Sequence, residues 1–210
     1  MTTRIALAAT LAVLSAVSAP IAQGAPQAAP WIDASAPRAP PPLPWQTMAH
    51  CHARDDECHR AAWKTFLKER GLTELSAPAG GKAYRWFWYF PGGVGPTGAP
   101  HNEGFVQIVL DHDGSGTLRS AWSDKTFPVG AADVAAFEEA LARSEFPAMS
   151  PDPAISCLDD CEDQWLEVVA DGRYRMVESE GGVPPRLHAA AKVLERLAAQ
   201  RAGLDAELRP

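Results

Sequence analysis

The chain has 210 residues, four cysteines and a formal charge of −7, from 19 Lys and Arg against 26 Asp and Glu. An acidic chain without a Lys/Arg cluster argues against nucleic acid and anionic membrane surfaces as partners. The length suits one domain with a real core.

Arg4 precedes an Ala-, Leu- and Val-rich run over residues 5–17, the form of a secretory signal. The run is shorter than the roughly 20 apolar residues of a spanning helix, so the chain is not read as an integral membrane protein. Ala22-Gln23-Gly24 fits a small-x-small cleavage site. Residues 1–24 are therefore read as a signal peptide, and the mature protein as periplasmic or secreted. Its removal takes Arg4 and no acid, leaving the mature chain more acidic. Four cysteines in an exported chain favour two disulfides over free thiols. Residues 25–44 carry seven prolines, including Pro40, Pro41 and Pro42, and read as an extended linker. Within it Trp31-Ile32 is an apolar island, read as a lightly docked tail rather than an anchor. Residues 45–210 read as one domain.

A helix is expected over residues 55–70. Asp55, Asp56 and Glu57 suit its first turn, Trp63, Phe66 and Leu67 fall on one stripe, and Gly71 follows as a stop. The stretch Tyr84-Arg85-Trp86-Phe87-Trp88-Tyr89-Phe90 then holds six aromatics in seven residues. Alternation in a strand puts Tyr84, Trp86, Trp88 and Phe90 on one face, and Arg85, Phe87 and Tyr89 on the other. Large groups on both faces mark a central strand, the spine of the sheet.

Residues 91–104 form the longest internal loop, rich in Gly and Pro and ending in His101, Asn102, Glu103 and Gly104. Its glycines lack the Gly-Lys-Ser/Thr of a phosphate loop. Strands follow at 105–110 and 117–122 around the turn 111–116. That turn has Asp111, Asp113 and Ser115 in calcium-loop positions, but Trp122 stands where the bidentate Glu belongs, so it is read as a turn. A helix over 131–144 is stopped by Phe146-Pro147. A second long connection, 149–162, holds Cys157 and Cys161 beside Asp159, Asp160, Glu162 and Asp163, an acidic run read as hydrated. Strands at 164–170 and 173–179 meet at Asp171-Gly172, the strongest hairpin signal in the chain. Pro185 opens a last helix that ends near Gly203. Strands and helices come in runs, so the expected class is α+β: a single, mostly antiparallel sheet of about five strands with three helices packed on one face.

From Phe105 onward a Gly-rich hairpin, a helix ending in Phe146-Pro147, Cys161-x-x-x-Trp165-Leu-Glu167, Gly172-Arg173-Tyr174 and a Leu-rich helix follow one another. This half of the chain resembles uncharacterised secreted proteins of proteobacteria. The resemblance implies export and a small α+β domain, and nothing about chemistry.

Met48, His50, Cys51, His52, Cys58 and His59 lie within twelve residues, a density of soft and imidazole ligands that could hold copper or zinc. Oxidation would remove the cysteines from that set and leave His50, His52 and His59 as candidate ligands. A helix running through Cys51 and Cys58 would hold their Cα atoms about 10 Å apart, beyond the roughly 7 Å limit for a bridge. If the helix starts after Cys51, as Asp55, Asp56 and Glu57 suggest, Cys51–Cys58 and Cys157–Cys161 are the expected pairs, with crossed pairing as the rival. No Ser sits in a nucleophile elbow, and no cofactor motif is present. The expected function is a non-catalytic binding or accessory domain of the cell envelope. It would hold a protein or peptide through Trp86, Trp88, His101, Asn102 and Glu103. The alternative is a small envelope hydrolase or metal-dependent enzyme.

The export reading has a direct test. N-terminal sequencing of the protein from a periplasmic fraction is expected to start between Pro20 and Ala25, whereas Met1 or Thr2 at that position refutes it.

Overall fold

The computed structural model describes residues 31–38, 51, 55–89, 103–149, 163–180 and 185–204. Residues 1–24, read as a signal peptide, and most of those read as a linker lie outside them. In chain order the elements are β1 (Ile32–Asp33), α1 (Asp56–Glu69), β2 (Lys82–Tyr89), β3 (Glu103–Leu110), β4 (Ser115–Ser120), β5 (Ser123–Gly130), α2 (Ala131–Arg143), a 3₁₀ turn (Phe146–Ala148), β6 (Asp163–Ala170), β7 (Arg173–Glu180) and α3 (Pro185–Ala202). The strands form one open sheet, in the order β1-β7-β6-β2-β3-β4-β5. Every pairing is antiparallel. The α+β class is as expected, but the sheet has seven strands rather than about five.

The aromatic strand β2 is its centre, hydrogen-bonded to β6 on one side and β3 on the other over all eight of its residues. Its side chains divide as alternation demands. Tyr84 and Trp86 join Val106, Ile108, Leu118, Leu166, Val168 and Val177 under α2 and α3. Phe87 faces the other way, with Phe105 and Trp165, under α1. The helices thus cover both faces, and α1 is not on the expected side. The cause is in the odd-numbered residues of β2: Phe87 leaves an aromatic row on the second face that needs its own cover. Trp63 and Phe66 supply it, with ring centroids 6.1 and 5.5 Å from Phe87. Burial of large rings in such edge-to-face and tilted contacts contributes beyond their area alone.

On the first face α2 crosses the strands. Its start at Ala131 lies against Gly114 in the β3–β4 turn. Phe137 packs on Tyr84 of β2 at 5.0 Å, and Phe146 just beyond its end lies under Arg175 of β7. Asp133 ties its first turn to the end of α3, accepting from Arg201 at 2.7 Å, and its other oxygen accepts from the Gly130 N–H at 2.9 Å.

Local signals account for the element ends. Asp55 caps α1 by accepting from the Cys58 N–H at 2.9 Å. The helix closes with Leu72 N–H on Leu67 O and Gly71 N–H on Lys68 O, the Schellman pattern. The β6–β7 hairpin turns through Asp171 (φ 52°) and Gly172 (φ 67°), both left-handed, as a two-residue type I′ turn requires. In the β3–β4 turn Asp113 accepts from the N–H and hydroxyl of Ser115 at 2.9 and 2.7 Å, so the calcium-like sequence serves the turn itself.

Two strands were not expected. β5 follows β4 after a two-residue connection, and its Pro128 is tolerable because the strand lies at the edge of the sheet. β1 arises from Trp31-Ile32, which is docked and not loose: Ile32 pairs with Tyr174, and Asp33 with Arg173.

Trp86 is 1 % exposed in the centre of the larger core. Trp86→Ala is expected to destabilise the protein by about 3–5 kcal/mol, read as a lower denaturant midpoint at unchanged slope. An unchanged midpoint contradicts this packing.

Candidate binding surface at the end of the sheet

The register of the second face aligns Glu167 of β6, Arg85 of β2, Gln107 of β3 and Arg119 of β4 in one row across the sheet. Arg85 and Glu167 are both buried, at 0 and 2 % exposure, and form an ion pair at 3.2 Å. Glu167 also accepts from the Tyr174 hydroxyl at 3.0 Å. Burial pushes the Tyr174 hydroxyl well above its ordinary pKa, and the neighbouring Glu167 charge adds to the shift. Burial lowers the Arg85 pKa against the opposing pull of Glu167.

The row is roofed by residues 71–75, whose alternate carbonyls are taken by three arginines. Arg119 donates to Gly71 O at 2.9 Å, Arg85 to Thr73 O at 2.9 Å, and Arg38 to Leu75 O at 2.6 Å. The row thus ties the sheet to this roof, although Arg85 Nη1 and Nε and Glu167 Oε2 find no hydrogen-bond partner among the described residues.

A different arrangement occupies the end of the sheet where β2 finishes and β3 begins. Trp88 stands opposite Gly104 in the β2–β3 register. A Cβ on Gly104 would lie 2.0 Å from Trp88 Cζ2, so the indole lies across the glycine backbone and requires it to be glycine. Beyond it Trp122, in the two-residue β4–β5 connection, meets Trp88 with centroids 5.4 Å apart. Both tryptophans are half-buried against the core. On the other side of Trp88 the register places Gln164 of β6. Gln164 is 4 % exposed, and its Oε1 has no hydrogen-bond partner among the described residues. In the next row Trp86 and Ser120 are buried, and Nε1 and Oγ likewise have no partner among the described residues. Unmade hydrogen bonds of this kind cost about 1–3 kcal/mol each. Arg70, at the end of α1, forms an ion pair with Glu103 on the opposite face of this end and lies 3.6 Å over the Phe66 ring.

Of the residues expected at a binding site, Trp88 and Glu103 are therefore at this end. Trp86 is inside the core and has no surface to offer. His101 and Asn102 lie outside the described residues. Trp122 and Gln164 were missed. Trp122 sits in a stretch read as part of a strand, and only the β4–β5 turn brings it to Trp88. The role of Gln164 depends on the β2–β6 register, which no local pattern carries.

Cys51 and Cys58 form the expected disulfide, with Cα atoms 5.6 Å apart, and α1 does begin after Cys51. Their sulfurs are thus engaged with each other rather than available as thiolate ligands. His59 is half-buried on α1, while His50, His52, Cys157 and Cys161 lie outside the described residues. Among the described residues no three His, Cys, Asp or Glu side chains group as a metal site, and no helix is long and apolar enough to cross a membrane. No protein-family model matches the sequence, and no curated protein is significantly similar to it.

The ion pair under α1 gives a prediction. Glu167→Gln leaves the Arg85 charge buried and uncompensated, a change expected to cost about 3–5 kcal/mol. In Arg85→Met/Glu167→Gln neither charge of the pair remains and the Gln still accepts from Tyr174, so the double variant is expected to recover much of that loss. Chemical denaturation of the three proteins checks both statements.

Proposed function

We propose that this protein is an exported, non-catalytic binding domain of the cell envelope that holds a protein or peptide partner against the Trp88–Trp122 end of its sheet. The observation that carries the reading is the pair itself: two half-buried tryptophans in contact, set over a glycine, beside a buried amide oxygen with no hydrogen-bond partner among the described residues. Tryptophan combines a large rigid area with little entropy to lose, and is enriched where binding energy concentrates. A peptide N–H reaching Gln164 Oε1 would satisfy an acceptor that has no partner among the described residues. The Cys51–Cys58 bridge fits an oxidising compartment, in keeping with the signal-like N-terminus.

Site-specific photo-crosslinking tests the surface in place. A photoreactive residue at Trp122 is expected to capture an envelope component, and the same residue at Glu139, exposed on α2, is not. Trp88→Ala in the first protein should reduce capture at least tenfold. Equal capture at 122 and 139, or none at 122, removes the reading. Elemental analysis of the purified protein tests the metal-dependent alternative, which predicts stoichiometric zinc or copper.

A further inference from the structure

The last row of the sheet at the tryptophan end is acidic. The register runs Glu180 of β7, Asp163 of β6, Tyr89 of β2 and Glu103 of β3, and β7 ends Glu178-Ser179-Glu180. Against these acids stand Arg70, which pairs with Glu103, and Arg186 in the first turn of α3. Asp163 is also the last member of the acidic run that begins at Asp159, so that run reaches the sheet one residue before Gln164. The row lies one position beyond Trp88, about 3.4 Å along the strands, well inside the roughly 10 Å over which a charge is felt at ordinary salt. Its part is attraction over distance rather than contact. In a chain of net charge −7 it favours a cationic partner at this end.

The buried acceptor beside Trp88 narrows the chemistry further. Gln164 Oε1 has no hydrogen-bond partner among the described residues. A carbonyl oxygen accepts and cannot donate, so the group that completes it carries an N–H or O–H. Trp88 and Trp122 add aromatic faces, tilted 41° to each other with centroids 5.4 Å apart. Gly104 takes one face of the Trp88 indole, so a ligand meets the other face and Trp122. Indole is the best of the aromatic side chains at holding a cation. A donor that is flat, positively charged and weakly hydrated answers every one of these features, and that group is a guanidinium. An ammonium has the charge without the plane, and a neutral amide donates without the charge. The same contact recurs inside the protein, where the Arg70 guanidinium lies 3.6 Å over Phe66 and that of Arg38 lies 4.0 Å over Tyr174.

We propose that the partner presents an arginine side chain to this end of the sheet. Its guanidinium stacks against the Trp88–Trp122 pair and donates one N–H to Gln164 Oε1, drawn in by the acids of the last row. This rests on the reading of that end as a partner surface and names the residue chemistry that the surface takes. The acids supply steering, and the tryptophans with Gln164 supply the contact, so charge and shape act at different residues and can be removed separately.

Fluorescence anisotropy with the purified full-length protein tests this. The probe is a fluorescein-labelled peptide of glycine and serine that carries two arginines, and its twins carry citrulline or lysine in their place. Citrulline keeps the plane and the N–H donors and removes the charge. The arginine peptide is expected to bind saturably, about tenfold tighter than the citrulline twin and several-fold tighter than the lysine twin, and to weaken as salt is raised. Trp122→Ala and Gln164→Leu should each lower its affinity several-fold, with denaturant midpoints showing that each variant is folded. Glu139→Gln, which removes an exposed acid of α2, should leave it unchanged. The proposal is overturned if the citrulline or lysine twin binds as tightly, a comparison that needs no variant. It is overturned equally if no saturable binding occurs, or if Trp122→Ala binds like the parent. Photo-capture at position 122 that an excess of the arginine peptide leaves undiminished also overturns it, while the partner reading itself stands.

Discussion

The Arg85–Glu167 ion pair sets the plan of the second face. Two charges at the centre of a sheet are costly unless each faces the other, and further hydrogen bonds ease the cost. Glu167 is met by Tyr174, and Arg85 by the carbonyl of Thr73. The second of these partners is not on the sheet. It belongs to the chain leaving α1, so the charge row calls for a roof of backbone carbonyls instead of a helix. Arg119 and Arg38 complete that roof at Gly71 and Leu75. The spacing of two residues between the accepting carbonyls is that of an extended chain, whose carbonyls point alternately to opposite sides. An apolar residue at 85 would leave the Thr73 carbonyl without its donor and the Glu167 carboxylate without its counter-charge.

This network also explains why α1 covers only part of its face. Trp63 and Phe66 reach Phe87 and Trp165, on the side of the charge row nearer the end of β2. On the other side lie Ala83, Val169 and Tyr174, covered by Leu75 and the N-terminal segment. The polar row therefore divides the second face into two small apolar clusters, whereas the first face keeps one continuous core under α2 and α3. The stability of the sheet rests mainly on the continuous side, and the divided side gives the N-terminal segment its place.

What the sequence made legible follows the range of the interactions concerned. The helix over residues 55–70, the Asp171-Gly172 hairpin and the split of Tyr84, Trp86 and Trp88 from Arg85 and Phe87 depend on periodicity and turn chemistry, which are local. The Cys51–Cys58 bridge was legible because helix geometry excludes it unless the helix starts late. β5 was not legible, since Ser123 to Thr126 carry no apolar residue and Pro128 reads against a strand. Its place is secured by pairing with β4, a neighbour rather than a pattern. β1 was hidden for the same reason: two residues have no periodicity, and Ile32 is a strand only because Tyr174 offers an edge. The side on which α1 packs was likewise beyond reach, because it depends on which face the aromatic row of Phe87, Phe105 and Trp165 leaves open once the register is set.

The candidate surface shows the same limit most sharply in Trp86 and Trp88. They are the same residue type, two positions apart, on one face of one strand. No property of the strand separates them, yet one is sealed in the core and the other lies half-open against Trp122. The difference comes from cover. Trp86 lies in a row whose cross-strand neighbours Leu166 and Val106 are themselves buried beneath the helices. Trp88 stands one row further on, beside a glycine and a glutamine, where the apolar row has ended. Gly104 supplies no side chain to lift the indole from the sheet, so the ring lies flat, and its far edge reaches the turn that carries Trp122. An aromatic strand thus becomes a surface only where its neighbours stop contributing bulk, and that boundary is a property of three strands read together.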